Sequence, residues 1–314
     1  MFFTRRYAAG IPGNKKSAMT VPMLLDRNFH APYGKCLSVA PKIARLLAPN
    51  PGPFTFKGTG VYIVGDHDVA VIDPGPDLPP HIEALQRALE GKCVTHILIT
   101  HTHRDHSPAA AALKSFCGAR TYAYAPHPRS VDDDAGTKIE EGGDRDFVPD
   151  VRVKDGEMLS CDGFMIECVF TPGHMSNHMC YALLEEKALF TGDHVMGWST
   201  TVVAPPDGDM AAYRASLEKL LARDDRVLWP THGGPVHDPK ALLRAYRDHR
   251  AEREKQILAC LGEGVSTIPK IVARLYADVD RRLHPAAART VLAHLIQLEN
   301  EDRVRGNGDG YEVA

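Results

Sequence analysis

The 314-residue chain is short of several features that would place it in a class at once. No apolar run reaches 18 residues, which excludes a spanning helix of ordinary length and leaves no membrane partner to expect. The seven cysteines (36, 93, 117, 161, 168, 180 and 260) are odd in number and scattered, with no C-x-x-C pair, so a reducing compartment is expected. A net charge of only -3 gives no bulk attraction to nucleic acid or anionic membrane, although a local basic face is compatible with it. Gly10, Pro12 and Lys15-Lys16 interrupt any apolar core near the start, so a secretory leader is not expected. Cytoplasm is the expectation, with an organellar address as the alternative because residues 1–25 are basic and free of acids. What the chain does have is length beyond one average domain and 44% hydrophobic residues, enough for a sizeable core.

Its most informative segment is Thr100-His101-Thr102-His103-Arg104-Asp105-His106, directly after the apolar stretch Val94 to Ile99. A short loop leaving a buried strand can turn such side chains toward one point, and imidazoles with a carboxylate suit Zn²⁺, and also Fe or Mn. Three later segments repeat the same grammar, an apolar run broken at glycine with a possible ligand at the break. They are Phe170-Thr171-Pro172-Gly173-His174, Leu189-Phe190-Thr191-Gly192-Asp193-His194 and Val227-Leu228-Trp229-Pro230-Thr231-His232-Gly233-Gly234. His178, His194 and His237 lie beside these motifs. Asp73, between Val69–Ile72 and Pro74-Gly75, reads either as a turn former or as a carboxylate steadying a metal-bound imidazole.

The ordered set H-x-H-x-D-H, T-P-G-H, G-D-H and T-H-G resembles the metallo-β-lactamase-fold hydrolases over residues 52 to 235. That resemblance implies a four-layer αββα sandwich within the α/β (α+β) class. It also implies that His101, His103 and His174 hold one metal, that Asp105, His106 and His232 hold a second, and that Asp193 bridges them. Asp105 and Asp193 are then the residues nearest the chemistry. The cysteine-type β-lactamases place a cysteine where this chain has Asp193, and Cys180 is read as a small buried residue. Two cations about 3.5 to 4 Å apart would yield a bridging hydroxide near neutral pH and stabilise charge on the attacking and leaving atoms. A structural metal site in a nucleic-acid-binding regulator is the competing class, disfavoured because structural zinc is closed by four ligands and rarely paired.

The periodicity predicts helices over 78–89, 108–116, 210–221, 239–261, 268–276 and 285–300, and hairpins at Lys154-Asp155-Gly156 and Cys161-Asp162-Gly163. Residues 1–51 read as an N-terminal arm, 52–238 as the catalytic domain, and 239–314 as a linker helix with a winged-helix-like domain closed by Gly306-Asn307-Gly308-Asp309-Gly310. This tail resembles the beta-lactamase-like protein 2 group, which implies phosphodiester hydrolysis on single-stranded RNA. The alternative is a small ester, thioester, lactone or β-lactam. The tail carries seven basic against eight acidic residues from Glu263 to Ala314, a balance that suits packing or homodimerisation better than phosphate binding. Residues 129–150 and 196–209, the latter with Trp198, are expected to border the substrate cleft.

Overall fold

The structure is a computed structural model that describes residues 25–128, 142–308 and 310–314. Seven strands form one sheet in chain order: β1 (Leu37–Ala40), β2 (Ile43–Leu47), β3 (Gly60–Gly65), β4 (Asp68–Ile72), β5 (Cys93–Leu98), β6 (Arg120–Ala123) and β7 (Val151–Arg152). Five more follow: β8 (Met158–Cys161), β9 (Phe164–Phe170), β10 (Met179–Leu183), β11 (Ala188–Gly192) and β12 (Val227–Pro230). They form a second sheet in the order β12-β11-β10-β9-β8.

The side-chain alternation of these strands builds the layers. In β3 and β4, Tyr62, Val64, Ala70 and Ile72 point at the second sheet and pack on Ile166, Tyr181, Phe190 and Trp229. Their neighbours Val61, Ile63, Val69 and Val71 point the other way, onto Leu85 of helix α1 (Pro79–Ala88) and Leu113 of helix α2 (Ala109–Cys117). The far side of the second sheet does the same with Cys180, Ala182, Leu189 and Leu228. These meet Leu217 and Leu220 of α3 (Met210–Ala222) and Leu242, Leu243 and Tyr246 of α4 (Pro239–Gly262). The result is the expected four-layer αββα sandwich. Asp209 and Asp238 cap α3 and α4 by accepting from the Ala212 and Ala241 amides, which fixes where each helix starts.

Two local expectations change. Residues 37–47, assigned to the arm, form β1 and β2 at the edge of the first sheet. The Pro- and Lys-rich surroundings conceal a short Ile43-Ala44-Arg45-Leu46-Leu47 strand. Lys154-Asp155-Gly156 closes no hairpin, because β7 and β8 lie in different sheets and the turn carries the chain across the sandwich. Cys161-Asp162-Gly163 does turn a hairpin, with Cys161 opposite Phe164.

The tail comprises α5 (Ile268–Leu275), a 3₁₀ turn (Arg281–Leu283), α6 (His284–Asn300) and a hairpin of β13 (Val304–Gly306) and β14 (Tyr311–Val313). Its core joins Ile271, Val272, Val291, Leu295 and Leu298 to Ile257, Cys260 and Leu261 at the end of α4. Buried Glu254 of α4 accepts from Arg214 of α3 at 2.7 Å and from Arg303 at 2.6 Å, tying the tail to the sandwich. Among the described residues no helix is long and apolar enough to cross a membrane. All seven cysteines are free thiols, and Cys180 is buried as expected.

Candidate metal centre

Strands β4 and β5 run parallel, as do β11 and β12, so several chain segments end on the same rim of the sandwich. Asp73 follows β4, the histidine loop follows β5, Gly173-His174 follows β9, Asp193 follows β11, and His232 follows β12. The Gly60 amide donates to Thr231 O at 2.9 Å and joins the two sheets at this rim. All seven predicted residues meet there, in three overlapping groups whose ligand atoms lie within 4.8 Å of one another: His101, His103 and His174; Asp105, His106 and His232; and His101, His106 and Asp193.

His103 Nδ1 lies 2.9 Å from His101 Nε2 and 3.2 Å from His174 Nε2. Nitrogens on a tetrahedral zinc at about 2.05 Å would sit about 3.3 Å apart, so the trio is spaced to share one ion. Asp105 Oδ2 is 3.2 Å from His106 Nε2 and 3.1 Å from His232 Nε2. Asp193 presents Oδ2 to His106 at 3.6 Å and Oδ1 to His232 at 3.4 Å. His106 Nε2 and Asp193 Oδ1 are nonetheless buried without a hydrogen-bond partner, as expected of atoms arranged to face a cation.

Backbone and buried hydroxyl groups fix which ring nitrogen faces inward. Asp73 accepts from the Thr100 amide at 2.8 Å, from Thr100 Oγ1 at 2.8 Å, from His106 Nδ1 at 2.9 Å and from Thr231 Oγ1 at 3.1 Å. Because the carboxylate only accepts, it takes the Thr100 hydroxyl hydrogen, and Thr100 Oγ1 must accept from His101 Nδ1 at 3.0 Å. His174 Nδ1 donates to Val202 O at 2.8 Å and His232 Nδ1 to Gly58 O at 3.2 Å. Four imidazoles therefore turn Nε2 toward the centre. Asp73 also sits at φ 49°, so it shapes the turn after β4 as well as accepting from His106.

Electrostatics divide the centre. Burial and the neighbouring histidines hold His101 and His103 well below the ordinary imidazole range, so both are neutral. Burial opposes charge on His232 as well, but Asp193 and Asp105 outweigh it in the metal-free protein and push it up to about 10. The same competition, with Asp105, Asp193 and Asp73 as partners, raises His106 well above the usual value. Asp105 and Asp193 stay ionised despite burial because His106 and His232 face them.

Of the surplus histidines, His178 is a support. Its Nδ1 lies 2.9 Å from Thr171 Oγ1 and its Nε2 accepts from the Asp193 amide at 3.3 Å. His194 is fully buried against Tyr213, and His237 is exposed. The Thr59, Thr100 and Thr231 contacts were not read from the sequence; Thr100 and Thr231 each precede a site histidine by one residue and Thr59 lies just before β3, a weak signal. Thr59 Oγ1 donates to Asp105 Oδ2 at 3.0 Å.

A cavity of about 750 Å³ opens onto His103, Asp105, His174, Asp193 and His232. Trp198 lines it, stacked on Phe56 at 4.6 Å with 8° between the rings. Tyr276, Val279, Leu283 and Ala286 of the tail also line it, a contribution the sequence reading missed. Residues 129–141 of the expected cleft loop lie outside the described residues, and residues 142–150 do not line the cavity. They brace the histidine loop instead, with Asp144 accepting from Ser107 Oγ at 2.6 Å.

The Metallo-beta-lactamase superfamily profile matches residues 55–232, and the Beta-lactamase associated winged helix domain matches residues 267–312. Among curated proteins, an atrochrysone carboxyl ACP thioesterase of Aspergillus chevalieri is 30% identical over 278 residues, covering 85% of this chain and 83% of that protein. Lactamase-like protein vrtG of Penicillium aethiopicum is 31% identical over 282 residues, covering 85% and 84%. The fold matches a metallo-beta-lactamase family protein of Thermus thermophilus with TM-score 0.72 at 24% identity, over 88% of this chain and all of that one. A beta-lactamase domain protein of Burkholderia ambifaria gives TM-score 0.74 at 18% identity, over 93% and 97%.

Proposed function

This chain belongs to the metallo-β-lactamase superfamily and is a hydrolase of that fold, and from this premise we propose that it hydrolyses acyl thioesters with two metal ions, zinc by preference. In this reading His101, His103 and His174 would hold one ion and Asp105, His106 and His232 the other, with Asp193 available to both. When bound, the ions supply Lewis acidity at the acyl carbonyl and lower the pKa of water. Asp105, fixed by Thr59, orients the attacking water toward the carbonyl carbon. The C–O bond forms, the C–S bond breaks, and the products are a free acid and a thiol.

The observation that carries the proposal is the ligand set at the base of a 750 Å³ cavity walled by Phe56, Trp198, Val279, Leu283 and Ala286. That volume lies in the range of small-molecule pockets and suits an acyl group. The relative named as an ACP thioesterase, aligned over 83% of its length, supports the same substrate class. The RNA reading draws no such support, and the tail that suggested it lines the cavity. We assign residues 52–238 as the catalytic unit on this basis, with 239–314 completing the substrate site.

The test is release of free thiol from acyl-N-acetylcysteamine and acyl-carrier-protein thioesters, beside a lactone, a β-lactam and single-stranded RNA. Thioester turnover that chelation and His103→Ala both abolish is expected. RNA cleavage without thioester turnover would overturn the assignment.

A further inference from the structure

One part of the cavity wall is cationic, and among the described residues neither of its two arginines forms an ion pair, although the exposed Asp278 and Asp280 line the same cavity. Arg250 is 2% exposed, yet it makes no ion pair among the described residues. Its guanidinium donates to Thr201 O and lies over the Tyr213 ring at 5.0 Å, while its Nε is buried without a partner. Arg253, one turn on along α4, donates to Leu275 O at 3.2 Å and stacks over Tyr276 at 4.2 Å. Its Nε is buried and unpartnered too. Both residues line the cavity, together with His249 and Thr290.

The nearby acids are engaged elsewhere or exposed. Glu254 is held by Arg214 and Arg303, Asp280 pairs with Arg282 at 2.6 Å, and Asp278 is exposed. His249 Nδ1 is buried without a partner, and burial with Arg250 and Arg253 beside it depresses this imidazole to about 3, so it brings no second positive charge. Thr290 Oγ1 accepts from the Val203 amide at 3.5 Å, which leaves its hydroxyl hydrogen to give. A buried guanidinium is costly to leave uncompensated, and the tail's aromatic ring fixes Arg253 in place before any ligand arrives.

We propose that Arg250 and Arg253, with Thr290, form an oxyanion-binding subsite that receives an anionic group of the substrate away from the scissile bond. This rests on the thioester reading for the identity of the substrate, and it narrows that class to thioesters bearing a carboxylate or a phosphate. The anion is either an acid group on the acyl chain or the phosphodiester of a pantetheine carrier arm. Both offer the same charge-assisted acceptors to a pair of guanidinium groups.

The experiment is calorimetric titration of the zinc-loaded protein with 4′-phosphopantetheine against pantetheine, and with glutarate against glutaramide. Each pair separates charge from shape. At least one anion should bind about 10- to 100-fold more tightly than its neutral counterpart. Arg253→Gln and Arg250→Gln should collapse that ratio toward one, with zinc content and thermal midpoint as controls for folding, and Arg253→Lys should restore part of it. Because Arg250 also holds the Thr201 carbonyl, the Arg253 variants decide the matter if Arg250→Gln fails to fold. Preference for the phosphate alone identifies the carrier arm; preference for the carboxylate alone identifies the acyl end. Ratios near one in the wild type, or ratios unchanged in Arg253→Gln, overturn the subsite. Thioester turnover with ratios near one would sink the subsite alone, whereas a variant-sensitive ratio in a protein that cleaves no thioester would sink the substrate reading alone.

Discussion

Replacing Asp73 by Asn tests how the centre is oriented, because it removes a charge while keeping size and tolerating the residue's φ of 49°. The carboxylate accepts four hydrogen bonds, from the Thr100 amide and hydroxyl, His106 Nδ1 and Thr231 Oγ1. An asparagine can keep its oxygen on the Thr100 amide, which leaves its NH₂ facing the other three. The threonine hydroxyls can rotate to accept, but His106 Nδ1–H then meets a donor. In the neutral form that metal binding requires, the ring must shift its hydrogen to Nε2, the atom that faces the centre. Rotation of the Thr100 hydroxyl has the same effect on His101, whose Nδ1 would turn acceptor. One ligand from each half of the centre thus takes the wrong tautomer. Loss of the charge-assisted His106 bond, with weakening of its neighbours, should destabilise the metal-free protein by about 2–4 kcal/mol. Zinc affinity should fall about 10- to 100-fold at each position. Thermal unfolding of the chelated protein and zinc competition against a chromophoric chelator read the two quantities separately. Asp73→Asn protein that binds two zincs within threefold of wild-type affinity would refute the reasoning.

The pH dependence of the chelated protein follows from His232, whose folded value of about 10 lies above its ordinary range. Such a group stabilises fully below about pH 6.5 and loses that contribution as pH rises to about 10, so the metal-free thermal midpoint should fall across this window. Zinc competes for the same nitrogen, so its binding should release protons there, read as a dependence of the binding enthalpy on buffer ionisation enthalpy. Gly173 sits at φ 136°, and a Cβ there would come 2.3 Å from Tyr213 Cα and 2.4 Å from its amide nitrogen. Gly173→Ala should therefore displace His174, costing at least about 2 kcal/mol of stability and one zinc equivalent by elemental analysis. Trp198→Ala removes the ring stacked on Phe56 at the cavity. It should raise KM about 5- to 30-fold with kcat little changed, in steady-state assays across acyl chain lengths.

The side chains of the candidate centre were legible because each sits in a local motif, a strand followed by a sharp turn, and sequence displays such patterns directly. The helices were legible from their periodicity and capping residues, as at Asp209 and Asp238. What escaped depends on distant segments meeting. Asp73 and Thr231, 158 positions apart, touch only once the two sheets pack together. The strand at Ile43–Leu47 was hidden by its surroundings, and the turn at Lys154–Gly156 misled because a crossover and a hairpin use the same residues. The tail's outline was read correctly, but its place beside the cavity was not, since that depends on contacts between distant segments, such as Ala293 packing among α3 and α4 residues and Glu254 pairing with both Arg214 and Arg303.

Metal content measured together with thioester turnover tests the central claim most directly. The account predicts about two zinc equivalents per chain, loss of acyl-thioester hydrolysis in step with their removal, and its return on adding zinc. Undiminished hydrolysis by metal-depleted protein would contradict it.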